Sequence, residues 1–470
     1  MGTIDIIVII VYMLAMIGVG LYANTKIKTT EDFVLGGRRF GVISLVGTIM
    51  ATMMGSGMVI GMTSNVYQHG IAGSIIWQYG GMAIGMFAIA MAAKKIRETG
   101  AMSFASVINK SFGKAPRIVA AVIVVLYAIA ILAITVSGLR TVLITIFGDS
   151  LQISDITLTI LATLIAIIYT SFGGFFAVVW TDVIQFIVIV IGIFIIGPIL
   201  GVHLAGGVDN IVEAVAAKGG SMTEPVFTTG MLGLALSYFL STPGDPVMPQ
   251  RVLAGKNDGA VKKAFIISGF MSVIIIICLL FLGGSIAVIL PGLENPDAAI
   301  STFVLSSFPP FVKGIVIAAL LAAIMSTFDS FLVLGTTHCI YDIAMVINPN
   351  MEEKKSNLIQ RIAVVVFGIL TVIIALYVLS ILGVLSMVFS ILGAVTIPAL
   401  VSALWFKDKV TPGGVISGMV AGCIVPGYLF MTKGYDVFLG DPVFSGVIAS
   451  VAAIVLGSLV FRNKKKVENA

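Results

Sequence analysis

Long apolar runs, repeated from one end of the chain to the other, are the feature that most constrains its fold. A helix needs about 20 apolar residues to cross the hydrocarbon layer of a membrane, and thirteen runs are long enough. They lie at 3–23, 41–65, 72–93, 118–147, 155–177, 180–205, 229–250, 264–290, 312–344, 361–379, 383–405, 413–432 and 442–461. Only 10% of the 470 residues are charged, against about 25% in soluble domains. The sequence predicts an all-α polytopic membrane protein and excludes soluble enzymes, disordered chains and fibres.

Basic residues fall mainly in every second connection between the runs. With the N-terminus outside, the outer connections contain only Lys218, Lys313 and Lys433 of the 27 basic residues, and Arg140 lies within a run. This matches the excess of Lys and Arg in cytoplasmic loops. We expect an integral plasma (inner) membrane protein in a lipid bilayer, N-terminus outside and C-terminus cytoplasmic. The same rule explains the positive charge without nucleic acid, and the sequence indicates no obligatory protein partner.

Two runs contain residues that interrupt helices: Gly-Ser-Gly at 55–57 in the second run, and Pro-Gly-Asp-Pro at 243–246 in the seventh. Proline and glycine disrupt helical hydrogen bonding, and freed carbonyls inside a membrane are tolerated where they line a cavity. Either break alone is better explained by packing or a gentle kink. Five spans separate the two, and five crossings reverse direction. Paired breaks in two inverted halves point to a transporter binding site.

This reading divides the chain into four parts. They are a first transmembrane helix and cytoplasmic loop at 1–40, a first five-helix repeat at 41–205, an inverted second repeat at 229–405, and two additional helices with a basic cytoplasmic tail at 406–470.

The ninth run carries Ser326, Thr327 and Ser330 together with Asp329. Ala323, Ser326 and Thr327 are spaced i, i+3, i+4 and share one helix face. A carbonyl and two hydroxyls there would suit an alkali cation, completed by carbonyls freed at the first break. The alternative is that the hydroxyls bond to their own helix.

Other ionisable residues lie within or at the edge of the runs. An ionisable group at membrane depth is a functional candidate by default, and Asp329 and Asp245 fit that description. Asp182 begins the sixth run, where capping of the helix and ion handling explain it equally well. Arg140 is consistent with an outward-reaching side chain, an ion pair or a contact to a substrate carboxylate.

Four segments of the chain resemble the sodium:solute symporter family, in the order typical of that family. They are 32–38 (DFVLGGR), 173–185 (GGFFAVVWTDVIQ), 244–256 (GDP followed by QRVLAGK) and 323–330 (AIMSTFDS). The resemblance implies a LeuT-type fold of two inverted five-helix repeats plus terminal helices. It also implies sodium-driven import of a small solute by alternating access.

The resemblance further implies which residues bind each ligand. The main sodium site would use the carbonyls of Ala51, Met54 and Ala323 and the hydroxyls of Ser326 and Thr327. A second sodium site would fall on Asp182, Ser326, Asp329 and Ser330. Substrate would contact Ser56, Gln78, Tyr238 and Asp245, with Arg140 a further contact.

The charge of the substrate stays open at this stage. If Asp245 faces the solute and Arg140 does not, an amine-bearing compound is favoured; if both face it, an amino-acid zwitterion fits; if Arg140 alone does, a carboxylate or pantothenate-like compound fits. Two other functions remain, a solute sensor on the same fold and a sodium-permeable channel. The sequence contains no HExxH, GxSxG or GxxxxGK[ST] motif, so we expect neither enzyme activity nor ATP use.

Overall fold

The structure, a computed structural model, describes residues 1–70, 72–148, 154–221, 229–377, 381–434 and 436–462, without the side chains at 72–79, 229–231, 353–354, 381–383 and 462. The helices of the first half are α1 (Thr3–Asn24), α2 (Thr30–Leu35), α3 (Val42–Met53), α4 (Ser56–His69), α5 (Ala72–Glu98), α6 (Phe104–Phe112), α7 (Lys114–Phe147), α8 (Asp155–Ile189), α9 (Gly197–Leu204) and α10 (Val208–Ala217). Those of the second half are α11 (Thr229–Gly244), α12 (Val247–Ala254), α13 (Asp258–Ile289), α14 (Ala299–Ser307), α15 (Val312–Thr337), α16 (Met345–Ile347), α17 (Glu353–Ala375), α18 (Ile381–Trp405), α19 (Pro412–Lys433) and α20 (Val443–Arg462). The all-helical prediction is confirmed.

Both predicted helix interruptions are present. Helix α3 ends at Met53 and α4 begins at Ser56, and the two axes are bent by 51°. Helix α11 ends at Gly244 and α12 begins at Val247, which leaves Asp245 and Pro246 between them. Each break therefore lies where glycine and proline weaken the helical hydrogen-bond ladder.

The start of the first broken helix and the end of the second are joined through their backbones. Phe40, just before α3, donates its N–H to the carbonyl of Ala254 at 3.4 Å and accepts from the N–H of Lys256 at 2.9 Å. This pairing forms a parallel bridge between Phe40 and Gly255, which follows α12. The chain segments that lead into one break and out of the other are therefore held side by side.

Residues 155–204 form one helical unit where the sequence predicted two spans. Of the described residues, nine helices have the length and apolarity to cross a membrane, and the bent pair α3–α4 makes a tenth; the stretch Asp155–Leu204 counts as one of the nine. Its direction changes at Gly174, which has φ 49° and ψ −147°. No loop separates the predicted spans at 155–177 and 180–205, because Gly174 adopts a backbone conformation available to glycine while helical pairing resumes on either side.

Helix α15 belongs to the most buried of the nine candidate membrane spans in the described part of the chain. In the most apolar 18-residue stretch of its span, 94% of the residues are buried, against 28% in the corresponding stretch of α1. Helix α15 packs against α1, α3, α7, α8 and α17. Its polar side chains, including Ser326 and Asp329, are thereby kept from lipid and must find partners on neighbouring helices.

Asp441, in the connection between α19 and α20, ties the last helix pair to the rest of the bundle. This carboxylate is 1% exposed and accepts from the hydroxyl of Ser390 in α18 at 2.8 Å and from the N–H of Val443 at 2.8 Å. Burial raises the pKa of Asp441 to about 6, although the hydrogen bonds from Val443, Ser390 and Ser237 oppose the change.

The raised pKa of Asp441 predicts a pH-dependent stability. Because the folded protein binds the proton more tightly than the unfolded chain, this stabilisation is complete below about pH 4 and is lost as the pH rises through about 6. Between pH 5 and pH 7.5 we expect Asp441 to remove roughly 1 kcal/mol of stability. In thermal unfolding scans, Asp441→Asn should reduce the fall in Tm over this range, whereas Asn at the exposed Asp436 of the same loop should not. An equal slope for wild type and Asp441→Asn would contradict the prediction.

Candidate ion and substrate sites

Two hydroxyls of α15 face the break between α3 and α4. Ser326 donates to the carbonyls of Ala51 at 2.9 Å and Ala323 at 3.1 Å. Thr327 donates to the carbonyls of Thr52 at 2.8 Å and Ala323 at 3.4 Å. Ser326 is 0% and Thr327 6% exposed. Three carbonyls and two hydroxyls therefore converge in a buried place whose ligands carry no formal charge.

The glycine at the first break permits this close approach. Gly55 lies directly against Thr327, and a Cβ added at position 55 would overlap the side-chain oxygen of Thr327. The last turn of α3 tightens before it, since the N–H of Met54 bonds to the carbonyls of both Met50 and Ala51, at 3.0 and 3.2 Å. The local sequence thus bends the chain and leaves room for hydroxyls from α15.

Four of the five residues predicted for the main sodium site are brought together, namely Ala51, Ala323, Ser326 and Thr327. Met54 lies in the break itself, and the carbonyl that contacts Thr327 is that of Thr52, which the sequence did not single out. Main-chain carbonyls at an unwound helix together with hydroxyls are ligands typical of a transported sodium ion. The residues present fit sodium.

A cavity opens beside this ion site and shares residues with it. The volume open to the centre of a water-sized sphere is about 60 Å³. The described residues that line it are Thr52, Met53, Gly55, Ser56, Gly57, Met58, Met82, Tyr127, Ile131, Ile134, Thr135, Tyr238, Asp245, Thr327, Phe331, Leu385 and Phe389. Thr52, Gly55 and Thr327 belong to both places, so the ion and a solute would share a wall.

Asp245, from the second break, is the one charged residue among those that line the cavity in the described part of the chain. Its Oδ2 accepts from the hydroxyl of Tyr127 at 2.9 Å, and its Oδ1 accepts from the N–H of Val247 at 3.0 Å. Asp245 is 6% exposed. The break therefore positions a carboxylate that has spare acceptor capacity against the cavity.

The remaining cavity wall is aromatic and aliphatic. Tyr127 meets Phe331 edge-on at 5.4 Å, and Tyr238 meets Phe389 edge-on at 5.4 Å. The hydroxyl of Ser56, at the first residue of α4, has no hydrogen-bond partner among the described residues. Aromatic faces and a buried carboxylate together favour a ligand that carries positive charge.

Of the predicted substrate contacts, Ser56, Tyr238 and Asp245 line the cavity and Arg140 does not. Arg140 is partly exposed and lies 3.7 Å from Asp155, at the first residue of α8. The side chain of Gln78 lies outside the described residues. The predicted contacts therefore separate into a cavity group and an arginine near the start of the fifth predicted span.

A second buried polar cluster lies next to the ion site, and its centre is Arg251. The Nη2 atom of Arg251 donates to the hydroxyls of Ser330 at 2.6 Å, Thr52 at 2.9 Å and Thr48 at 3.2 Å, and lies 3.8 Å from Asp182 Oδ2. Arg251 is 0% exposed. The sequence predicts that Arg251 lies in a connection after the seventh run, but it lies within α12 and is buried in the bundle.

The residues predicted for a second sodium site have separate partners. Asp182 accepts from Thr48 at 2.6 Å, while Asp329 accepts from the hydroxyl of Tyr169 at 2.7 Å. Ser330 bonds to Thr52 and Arg251, and Ser326 turns to the main site. Each of these groups has a hydrogen-bond partner of its own, while the Oδ1 atoms of Asp182 and Asp329 have none among the described residues. The second sodium site therefore stays a prediction.

Sequence reasoning missed Tyr127, Thr52 and Arg251 as site residues. Tyr127 is a polar aromatic in the middle of an apolar run, a signal that was available. Arg251 lies in the QRVLAGK segment of the resemblance, but its charge was explained by the positive-inside rule. Tyr127 and Arg251 become site residues only because the fold brings their helices next to the breaks, and the sequence does not show which helices are neighbours.

The four segments that carried the resemblance meet around Arg251. Its guanidinium lies 5.1 Å from the ring of Phe175, and the neighbouring Gln250 donates to the carbonyl of Val34 at 3.1 Å. A Cβ on Gly174 would lie 2.8 Å from the carbonyl oxygen of Phe33. Two interrupted membrane helices, with an oxygen-lined candidate ion site and a cavity beside it, are typical of ion-coupled secondary transporters.

Comparison with known proteins gives the family. Residues 33–422 match the model of the sodium:solute symporter family, and the chain belongs to this family. Its members are transporters, and sodium is their coupling ion. The sodium/proline symporter of Escherichia coli is 25% identical over 91% of both chains, and the sodium/pantothenate symporter of the same organism is 26% identical over 96% of this chain and 95% of the relative.

A solved structure of a sodium-coupled sialic acid symporter has the same fold. It superposes with a TM-score of 0.82 at 21% identity and covers 98% of each chain. The protein is therefore an integral membrane protein with a LeuT-type fold.

Proposed function

We propose that this protein is a sodium-coupled symporter that imports a small amine-bearing solute by alternating access. The observation that carries the substrate class is the position of Asp245, which lines the same cavity as Thr327 of the proposed ion site, while Arg140 lies 3.7 Å from Asp155. This is the arrangement for which an amine-bearing solute is favoured over a plain carboxylate.

The physical reason is charge compensation. A buried carboxylate in an apolar cavity is unfavourable unless a positive charge neutralises it, and the rings of Tyr127, Tyr238, Phe331 and Phe389 offer about 0.5–2 kcal/mol each for a cation over a face. A protonated amine would neutralise the carboxylate and also make cation–π contacts with these rings. A zwitterion also fits if its carboxylate lies at the N-terminus of α4, where backbone N–H groups and the helix dipole favour negative charge.

Coupling follows from the shared wall. Sodium bound by Ser326 and Thr327 fixes α15 against the first break, and this break supplies Ser56 and Gly57 to the solute cavity. Each ligand therefore favours binding of the other, and linkage makes the effect reciprocal. One sodium ion supplies about 2.3 kcal/mol per 100 mV of membrane potential, in addition to its concentration gradient.

We further propose thirteen membrane spans, with 41–205 and 229–405 as inverted repeats, the N-terminus outside and the C-terminus in the cytoplasm. The breaks α3–α4 and α11–α12 support the repeats, since each begins one half. The count treats the kink at Gly174 as the boundary of two spans.

The test is a two-stage measurement on purified protein. A thermal-shift screen compares organic cations, zwitterionic amino acids and carboxylates, each with sodium or with potassium in its place, because ligands of the folded state raise Tm. We expect amine-bearing compounds to stabilise the protein more in sodium. The best compound is then offered to proteoliposomes with an inward sodium gradient and an inside-negative potential.

Saturable, electrogenic accumulation that requires the sodium gradient supports the proposal. Sodium-stimulated binding without accumulation would instead indicate a sensor, and sodium flux without saturation or solute would indicate a channel. Stabilisation by carboxylates alone would contradict the substrate class and leave the symport mechanism standing.

A further inference from the structure

We infer that the guanidinium of Arg251 is a fixed cation that takes the place of a second sodium ion, so that the transport cycle carries one sodium. This inference rests on the proposed sodium-coupled function and concerns its stoichiometry.

The first argument is the position of the guanidinium. Arg251 Nη2 lies within 2.6–3.2 Å of the hydroxyls of Thr48, Thr52 and Ser330. Two of these, Thr48 and Thr52, also bond to Asp182. A sodium ion bound by the same hydroxyls and Asp182 would lie next to a like charge, which is strongly unfavourable at low dielectric.

The second argument is the permanence of that charge. Arginine keeps its proton in proteins, and a fully buried arginine needs a carboxylate and hydrogen bonds to remain folded inside. Asp182, 3.8 Å away and also 0% exposed, is the nearest carboxylate. The ring of Phe175, 5.1 Å from the guanidinium, stabilises it further. The cluster is thus a structure built to hold this cation.

The third argument is the commitment of the other predicted ligands. Asp329 has a separate partner, since its Oδ2 accepts from the hydroxyl of Tyr169, and Ser326 faces the main site. The Oδ1 atoms of Asp182 and Asp329 have no hydrogen-bond donor among the described residues. Sodium bound at these two oxygens is the result that would overturn the inference.

The test counts sodium directly, without a solute. Binding of ²²Na⁺ to the purified full chain is measured at constant ionic strength set with potassium. We expect one ion per wild-type protein, no loss of that ion in Asp182→Asn, and its loss in the double change of Ser326 and Thr327 to Ala. Two ions in wild type, reduced to one in Asp182→Asn, would overturn the inference while leaving sodium coupling intact. No sodium binding in wild type would instead contradict the proposed function.

Substitution of the arginine tests the replacement itself. Arg251→Gln removes the charge but retains donors, and we expect it to bind two sodium ions, while Arg251→Lys retains a cation and should bind one. Adding Asp182→Asn to Arg251→Gln should return the number to one. A single ion in folded Arg251→Gln would overturn the inference. If Arg251→Gln does not fold, the wild-type and Asp182→Asn counts decide the matter.

Discussion

Replacing Ser326 and Thr327 together by alanine is expected to raise the half-saturating sodium concentration by about 30-fold or more. The two hydroxyls contact the carbonyls of Ala51 and Thr52 across the helix interface. Removing such a partner from a buried polar group costs about 1–3 kcal/mol, and 1.4 kcal/mol is a factor of ten in affinity. Sodium-dependent thermal stabilisation and sodium-dependent solute uptake both report the change.

Thr336→Ala is the matched control for this experiment. Thr336 is also buried in α15, but its hydroxyl bonds to the carbonyls of Leu332 and Val333 of its own helix. It should leave the sodium dependence unchanged. If the double alanine variant behaves like Thr336→Ala, the hydroxyls serve only their own helix and the main sodium site is misassigned.

Asp245→Asn is expected to lower the affinity for an amine-bearing solute by about 100-fold, with a much smaller change in sodium affinity. Removing one partner of a buried charge pair typically costs about 2–5 kcal/mol, and a factor of 100 corresponds to about 2.7 kcal/mol. The asparagine retains an acceptor for Tyr127, so the wall should stay in place. Solute-dependent thermal shifts of the two proteins measure the ratio.

Two further variants separate charge from structure. Tyr127→Phe removes one hydrogen bond to Asp245 and should lower solute affinity only several-fold, because the carboxylate remains. Arg140→Gln also neutralises a charge, but away from the cavity, and should have little effect. A larger loss in Arg140→Gln than in Asp245→Asn would reverse the proposed substrate charge. A loss of sodium affinity in Asp245→Asn would move this residue to the ion site.

The sequence predicted the parts of the molecule that depend on local chemistry. The helical bundle follows from the apolar runs, the breaks at 55–57 and 243–246 follow from glycine and proline, and the i, i+3, i+4 spacing of Ala323, Ser326 and Thr327 places them on one face. These features require no knowledge of which helices are neighbours. In the stretch 155–204 the sequence could not show that the two predicted spans join at a kink at Gly174 without a loop, because a glycine kink and a short loop look alike in an apolar sequence.

Contacts between distant segments were beyond sequence reasoning. Arg251 and Asp182 are 69 positions apart, and the fold rather than any local pattern brings them within 3.8 Å. The choice between substrate charges depended in the same way on Arg140 lying near Asp155 instead of in the cavity. The residue types indicated which functional groups are present, but only the packing of the helices shows which of these groups lie in the same site.

The backbone bridge between Phe40 and Gly255 has a consequence for the route of release. Separating α3 from α12 would break both backbone hydrogen bonds of Phe40 and leave unpaired polar groups in an apolar interior. Movement of the two helices as one rigid body would preserve both hydrogen bonds. If this end faces the cytoplasm, as we propose, we expect the exit to open alongside this pair and not through it. A covalent staple between positions 40 and 255 should leave turnover intact.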